Sequence, residues 1–277
     1  MNKVAIQGEL GSNSQMAARA MLGQAAEIVS CAVSLDVLKM VVAGEVDGAV
    51  LPIENSLHGS VAEHYDLLLE QPVRIVRESL LRIRHNLIAM PGVKLEEVRS
   101  VISHPVALSQ CRRFLASHPQ LQVISFYDTA GSVKHLMAEG LRDVAGVAPE
   151  LAAKEYGGEV LVGGIEDHTE NYTRFHLVTR EDDRGGRVSP EGVIPNKMSV
   201  AFAIEHRPGT LVDALERLAH AGVDLTKIES RPVPGSPWEY VFYVDVKFER
   251  LEMADAALGA LREHCRMVKE LGRYVAA

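Results

Sequence analysis

The sequence is short of cysteine, of tryptophan and of positive charge. Its three cysteines, Cys31, Cys111 and Cys265, are widely spaced and odd in number, and no CxxC pair occurs. That pattern supports neither a disulfide framework nor a structural zinc site, so no metal is expected. Lys and Arg number 29 against 37 Asp and Glu, a net charge of -8. A net-acidic chain is a poor partner for nucleic acid or an anionic membrane surface, and neither is expected. No apolar run approaches the roughly 20 residues that a spanning helix needs. The first residues, MNKVAIQGEL, enter a strand without the apolar core and cleavage site of a signal peptide. The simplest compartment is therefore the reducing cytoplasm. The first strand–helix turn does not carry the G-x-G-x-x-G fingerprint, which argues against a nicotinamide cofactor. What is present is an ordinary globular balance, 47% hydrophobic and 24% charged over 277 residues. That length fits one large domain or two unequal ones.

Strand and helix signals alternate through the first two-thirds. Apolar strands are expected at 3–7, 27–31, 48–53, 98–103, 121–126 and 144–148. Helices are expected at 14–23, 34–43, from Ser60 with a Ser60/Glu63 capping box, from Pro105, from Asp128-Thr129, and up to Tyr156. Residues 73–90 alternate apolar and basic side chains, as long strands crossing between two lobes would. Repeated strand–helix units predict an α/β fold with parallel sheets and a ligand at strand carboxyl ends. Residues 181–196 are charged and rich in Gly and Pro, and read as a linker. The remainder restarts as strand, helix, strand, strand, helix, strand, the βαββαβ order of a ferredoxin-like unit. Residues 197–277 hold 11 Lys and Arg and 12 Asp and Glu, so seven of the eight excess negative charges lie in the first 196.

Several segments carry polar side chains where an α/β ligand would sit. Gly8 to Ser14 turns from strand into helix, and helix-start N–H groups favour anions. Glu54-Asn55-Ser56 ends a buried strand. Ser103-His104-Pro105 leads to Gln110-Cys111 one to two helical turns on. Thr173-Arg174 opens the last strand of the large domain, pairing a hydroxyl with a planar guanidinium suited to carboxylate. In the second unit, Arg207 to Leu211 joins strand to helix, and Glu229-Ser230-Arg231-Pro232 ends the next strand. Taken one at a time, most of these read as caps, turns and core. The Glu54–Ser56 loop divides evenly between a capped turn and a ligand site.

Taken together and in order, the segments resemble the prephenate dehydratase family, arogenate dehydratases included. The shared motifs are Gly8 to Ser12, P-[IV]-E-N-S-x-x-G at Pro52 to Gly59, H-P-x-A-L-x-Q-C at His104 to Cys111, and D-T-A at Asp128 to Ala130. The most specific is I-x-D-x-x-x-N-x-T-R-F at Ile165 to Phe175. The second unit resembles an ACT domain through Gly209 to Leu215 and Glu229 to Pro232. Glu9, Asn13, Val106, Pro149 and Gly158 stand where the family commonly has Pro, an aromatic, Gln, Ser and Leu, which bears on selectivity rather than reaction class.

The resemblance implies a two-lobed, periplasmic-binding-protein-like catalytic domain at 1–182, a linker at 183–196 and a regulatory ACT domain at 197–277. It implies loss of water and carbon dioxide from prephenate, giving phenylpyruvate in phenylalanine biosynthesis, with no cofactor. Thr173 is expected to assist departure of the hydroxyl and Arg174 to bind carboxylate, with Asn55 and Glu54 also at the catalytic centre. Gly11, Ser12, Ser56, Ser103, Gln110, Thr129 and Phe175 are expected to bind substrate. Gly209, Thr210, Leu211, Glu229, Ser230 and Arg231 are expected to bind phenylalanine as allosteric effector, in a homodimer or homotetramer. Competing readings are an arogenate dehydratase, a solute-binding module and a non-catalytic amino-acid sensor.

Overall fold

The computed structural model describes residues 2–183, 188, 192–233 and 239–277. The chain begins β1 (Lys3–Gln7), α1 (Asn13–Leu22), β2 (Glu27–Cys31), α2 (Ser34–Ala43), β3 (Gly48–Asn55), the short β4 (Gly59–Ser60), α3 (Ala62–Glu70) and β5 (Val73–Arg82). It continues with β6 (Asn86–Ala89), β7 (Ser100–Ser103), α4 (Pro105–Ser109), α5 (Arg112–Ala116), β8 (Gln122–Ser125), α6 (Thr129–Ala138), β9 (Val144–Ala148), α7 (Glu150–Tyr156) and β10 (Glu159–Gly163). After β11 (Tyr172–Arg180) come β12 (Lys197–Ala203), α8 (Thr210–His220), β13 (Asp224–Pro232), β14 (Tyr240–Lys247), α9 (Leu251–His264) and β15 (Met267–Tyr274).

Two sheets form two lobes. The first runs β2-β1-β3-β11-β5, and the second β10-β6-β9-β7-β8. The expected parallel pairing holds at β2-β1-β3 and β8-β7-β9. It is corrected at β5, β6, β10 and β11, which pair antiparallel. The reason is the crossover. The chain leaves the first lobe along β5 and must come back beside it along β11, so those two strands run in opposite directions.

The apolar runs become the cores. Ala5 of β1 and Ala49 and Leu51 of β3 are buried with Val37, Leu38 and Val41 of α2, and on the opposite face Val4, Ile6 and Val50 are buried with Ala17 and Ala18 of α1. Leu87, Ala89, Val101, Ala145 and Val147 form the equivalent core of the second lobe. Burial of each larger aliphatic side chain stabilises by about 1.5–3 kcal/mol. Gly44 and Gly157 close α2 and α7 in the left-handed conformation, as the sequence leads one to expect. The Ser60/Glu63 capping box does not form. Val61 is the N-cap of α3, and the Ser60 hydroxyl is engaged by Lys227 and Glu229 instead.

The carboxy-terminal unit has the expected βαββαβ order and a sheet arranged β13-β14-β12-β15. β15 lies beside β5 at Gly272 and Ile75, joining this sheet to that of the first lobe. Gly272 has φ 154, and a Cβ there would collide with the Ile75 carbonyl oxygen, so the junction requires glycine. Of the expected linker, 184–187 and 189–191 lie outside the described residues. No described helix is long and apolar enough to cross a membrane.

Candidate active site

β3 and β11 pair antiparallel with Thr173 opposite Asn55 and Arg174 opposite Glu54. Successive side chains of a strand point to opposite faces. Asn55 and Thr173 therefore look one way, and Glu54 and Arg174 look the other. The first face borders a cleft between the lobes of about 610 Å³, within the usual range for small-molecule sites. The second faces the carboxy-terminal unit.

In the cleft, a chain of hydrogen bonds begins at fixed backbone donors. Asn55 Oδ1 accepts from the N–H groups of Leu57 at 3.0 Å and His58 at 3.1 Å. Its amide nitrogen must then donate, and it does so to Asn171 Oδ1 at 2.7 Å and Thr173 Oγ1 at 3.0 Å. Asn171 Nδ2 in turn donates to Gln110 Oε1 at 2.9 Å. Gln110 Nε2 donates to His58 Nδ1 at 3.0 Å, and Gln110 Oε1 receives His85 Nε2–H at 2.7 Å. Each amide orientation follows from the one before it. Two consequences matter. Thr173 Oγ1 accepts from Asn55, so its own hydrogen is available to a group in the cleft. His85 is neutral, with burial lowering its pKa against the opposing pull of Gln110 and Glu166.

The expected residues separate clearly. Asn55, Thr173, Gln110, Thr129, Ser12 and Phe175 all line the cleft. Ser12 caps α1, accepting from the Gln15 N–H, and Thr129 starts α6 just after its Asp128 cap. Gly11 brings the first lobe against the second: a Cβ there would lie 2.6 Å from Ala152 Cα. Ser103 is fully buried and donates to the Val147 carbonyl at 2.6 Å, tying β7 to β9 rather than meeting the cleft. Ser56 fastens the β3 loop to the start of β11, donating to the Glu170 carbonyl and accepting from the Tyr172 N–H. The sequence reading passed over Asn171, His58 and His85. Asn171 was visible as the Asn of the Ile165–Phe175 signature, but nothing local marked its partners, which are far away in the chain.

Arg174 and Glu54 require correction. Neither borders the cleft, because each is one residue out of phase with Thr173 or Asn55. Arg174 is 5% exposed. Its Nη1 bonds Asp245 Oδ2 at 2.5 Å and Glu78 Oε1 at 3.0 Å. Its Nε lies 2.8 Å from Glu54 Oε1 as an ion pair without hydrogen-bond alignment. Lys197 binds Glu78 at 2.7 Å, and Lys227 binds Glu54. Ser199 holds the second oxygen of Asp245 at 2.5 Å. Asp245, Lys197, Ser199 and Lys227 all belong to the carboxy-terminal unit, so this is an interdomain seam. Burial alone would raise the Glu54 carboxyl, but the Lys227 bond and the Arg174 charge hold it below its ordinary range. His176, beside Arg174, is pushed far down by burial and by the neighbouring cations.

The carboxy-terminal unit has its own cavity of about 260 Å³, lined by Gly209, Thr210 and Leu211 together with His206, Tyr240 and Phe242. Glu229, Ser230 and Arg231 do not line it within this chain. β13 alternates, sending Glu229 and Arg231 to the first lobe. There Glu229 accepts from Ser60 at 2.8 Å and Arg231 binds Asp66 at 2.7 Å. Ser230 lies between them on the opposite, exposed face. Among the described residues, no group of three or more His, Cys, Asp or Glu side chains is placed to hold a metal ion.

Comparison with known proteins finds relatives along nearly the whole chain. The family model for prephenate dehydratase matches residues 4–183. The chain is 39% identical to arogenate dehydratase/prephenate dehydratase 2, chloroplastic, of Arabidopsis thaliana, over 98% of this chain and 72% of that protein. Among solved structures, prephenate dehydratase from Arthrobacter aurescens in complex with L-Phe superposes with a TM-score of 0.88 at 32% identity, covering 99% of this chain and 90% of that one. The quorum quenching acylase GqqA superposes with a TM-score of 0.86 at 31% identity, covering 99% of this chain and 98% of that one.

Proposed function

The chain belongs to the prephenate dehydratase family, and from that premise we propose that it converts prephenate to phenylpyruvate under control by phenylalanine. The class of reaction is dehydration, a carbon–oxygen lyase step. The observation that carries the reading is the polarity of the cleft network: backbone N–H groups fix Asn55, and Asn55 leaves the Thr173 hydroxyl as a donor.

Prephenate carries a ring carboxylate, a side-chain carboxylate and a ring hydroxyl. The ring hydroxyl takes up one proton, drawn from solvent, and leaves as water, while the electron pair of the bond to the ring carboxylate moves into the ring and carbon dioxide departs. The product ring is aromatic, which supplies the driving force. Thr173 donates a hydrogen bond to the departing oxygen, and positioned donation of this kind contributes about 10²–10⁴ in rate. Asn55 holds Thr173, Gln110 steadies Asn55 through Asn171, and both amides present neutral polar edges. Phe175 and the buried floor keep water from the ring. The hydrogen-bonded cleft network supplies preorganised donors, so little reorganisation is needed as charge moves.

The same reading divides the chain at 1–182, 183–196 and 197–277, with an ACT domain last. Phenylalanine occupies the cavity at Gly209 to Leu211, in line with the relative solved with L-Phe. It acts through the seam, because Asp245 of the ACT domain touches Arg174, the residue next to Thr173. Regulation requires that phenylalanine bind two arrangements of that seam with different affinity.

Arogenate, with an amine in place of the keto group, is the second reading, supported by a relative named for both activities. The deciding assay gives purified protein each substrate in turn and follows phenylpyruvate and phenylalanine. A higher kcat/KM with prephenate is expected. A higher value with arogenate transfers the assignment to that substrate, and turnover of neither removes the enzymatic reading. Titration calorimetry with phenylalanine tests the effector, and absence of heat at millimolar ligand removes it.

A further inference from the structure

A dianion needs a cation, and the seam has taken Arg174. Its guanidinium is shared by Asp245, Glu78 and Glu54 in a dry site behind the cleft. Among the described residues that line the cleft, Lys134 is the one Lys or Arg side chain. It stands on α6 of the second lobe, and half of its side chain is exposed. Its ammonium binds Glu9 Oε2 at 2.8 Å. The Tyr127 hydroxyl, from the segment just before α6, donates to Glu9 Oε1 at 3.0 Å. Glu9 itself comes from the β1–α1 turn of the first lobe. One carboxylate therefore bridges the cleft, gripped on both oxygens by donors from the far side.

We propose that Lys134 and Tyr127 form a carboxylate subsite of the active site, and that Glu9 fills it until a substrate carboxylate takes its place. The inference rests on the dianionic substrate proposed above. The geometry already shows that the pair accepts a carboxylate, because it holds one. An ion pair this exposed is weakly held, so its partner can be exchanged. Arg174, locked among three carboxylates, has no such freedom. Burial and the bond to Glu9 push the Tyr127 phenol up to about 12, so it remains a donor at neutral pH. The exchange also conserves charge: one carboxylate leaves the cradle as another enters. A net-acidic lobe thus takes up an anion without adding negative charge beside Asp128, whose carboxyl is already raised by burial and by nearby Glu9. Released Glu9 turns to solvent at the cleft mouth.

The test is steady-state kinetics of the full chain with prephenate and with arogenate, on wild type, Lys134→Met, Lys134→Arg and Glu9→Gln. Loss of a charge-assisted contact of about 1.5–3 kcal/mol raises KM about 10–100-fold. Lys134→Met is expected to show that rise with a much smaller change in kcat, and Lys134→Arg to recover most of it. Glu9→Gln weakens the competitor, so KM falls below wild type at unchanged kcat. An unchanged KM in Lys134→Met, or a raised KM in Glu9→Gln, overturns the subsite. If Lys134→Met fails to fold, the direction of the Glu9→Gln change decides alone. Wild-type protein that turns over neither substrate sinks the functional reading instead, a different outcome from an active enzyme indifferent to Lys134.

Discussion

The two faces of the β3–β11 pair are built from adjacent residues and opposite chemistry. On the cleft face, Asn55, Asn171, Gln110 and Thr173 are neutral amides and a hydroxyl. On the seam face, Arg174, Lys197 and Lys227 meet Glu54, Glu78 and Asp245 in direct ion pairs. A neutral network can trade one partner for another at modest cost, because each bond is worth only about 0.5–1.5 kcal/mol net. A buried charge cannot lose its partner without a much larger penalty. The cleft face therefore suits a site where bonds to a passing ligand form and break. The seam face suits a joint that holds two units in register. Net charge for the chain as a whole could not separate these roles. Their difference lies in the side-chain period of a strand.

The sharpest way to break the comparison is to remove one residue from each face. Thr173→Ala deletes the cleft donor and should lower kcat about 10²–10⁴-fold. It leaves Asn55 with another acceptor in Asn171, so urea unfolding should report a loss of about 1 kcal/mol or less. Arg174→Leu deletes the shared cation of the seam, leaving Asp245 with the Ser199 hydroxyl and Glu78 and Glu54 with Lys197 and Lys227. Urea unfolding should show a loss of about 3–5 kcal/mol, as for a broken buried pair. Near-wild-type turnover in Thr173→Ala, or a stable Arg174→Leu, would mean the faces have been assigned to the wrong roles.

Most of the fold could be read from the sequence because each element carries its own pattern. The bounds expected for β1, β2, α2 and β9 are those found. The antiparallel turn of β5 and β11 was not legible, since strand direction depends on where the chain must return and not on local composition. The site divides the same way. Asn55, Thr173 and Gln110 sit in specific motifs and reach the cleft. Arg174 and Glu54 sit in the same motifs but face the seam, and a motif does not state which side of its strand is wet. Lys134 carried no motif argument at all. Its proposed role rests on the absence of other Lys or Arg side chains from the cleft lining among the described residues, which only three dimensions reveal. Ser60 was misassigned because S-x-x-E is satisfied locally by sequence, while the partner that wins its hydroxyl lies more than 160 residues away.

Acid should separate the faces in two stages. His176 in the seam and His85 in the cleft are both held below the ordinary histidine value of 6.5, chiefly by burial. The unfolded chain takes up their protons first as pH falls. Stability is thus full above about pH 6.5 and declines below it, by up to about 1.4 kcal/mol per pH unit for each histidine until its folded pKa is reached. Glu54 adds a second window. Its folded pKa is depressed, so its contribution is present above the ordinary carboxylate value of 4.5 and is lost as pH falls further through the folded value. Unfolding free energy measured from pH 8 to pH 5 should fall in the His176 parent, and His176→Leu should flatten the slope by one proton. An unchanged slope would show that His176 takes a proton in the folded seam.

The smallest effect is expected at the wet edge of the same seam. Arg231 holds Asp66 through two hydrogen bonds, at 2.7 and 3.3 Å, linking β13 to α3. Both side chains are about one-third exposed, at 30% and 34%. Water screens such a pair and competes for its hydrogen bonds, so Arg231→Ala should cost about 0.2–1 kcal/mol. Turnover without effector should match wild type, because neither residue touches the cleft or Arg174. The contrast with Arg174→Leu is then a gradient along one interface: the same ionic chemistry is worth several times more at its dry centre than at its rim. A loss in Arg231→Ala as large as that in Arg174→Leu would mean the two units are joined as strongly at the rim as at the core, and that burial does not set the strength of this seam.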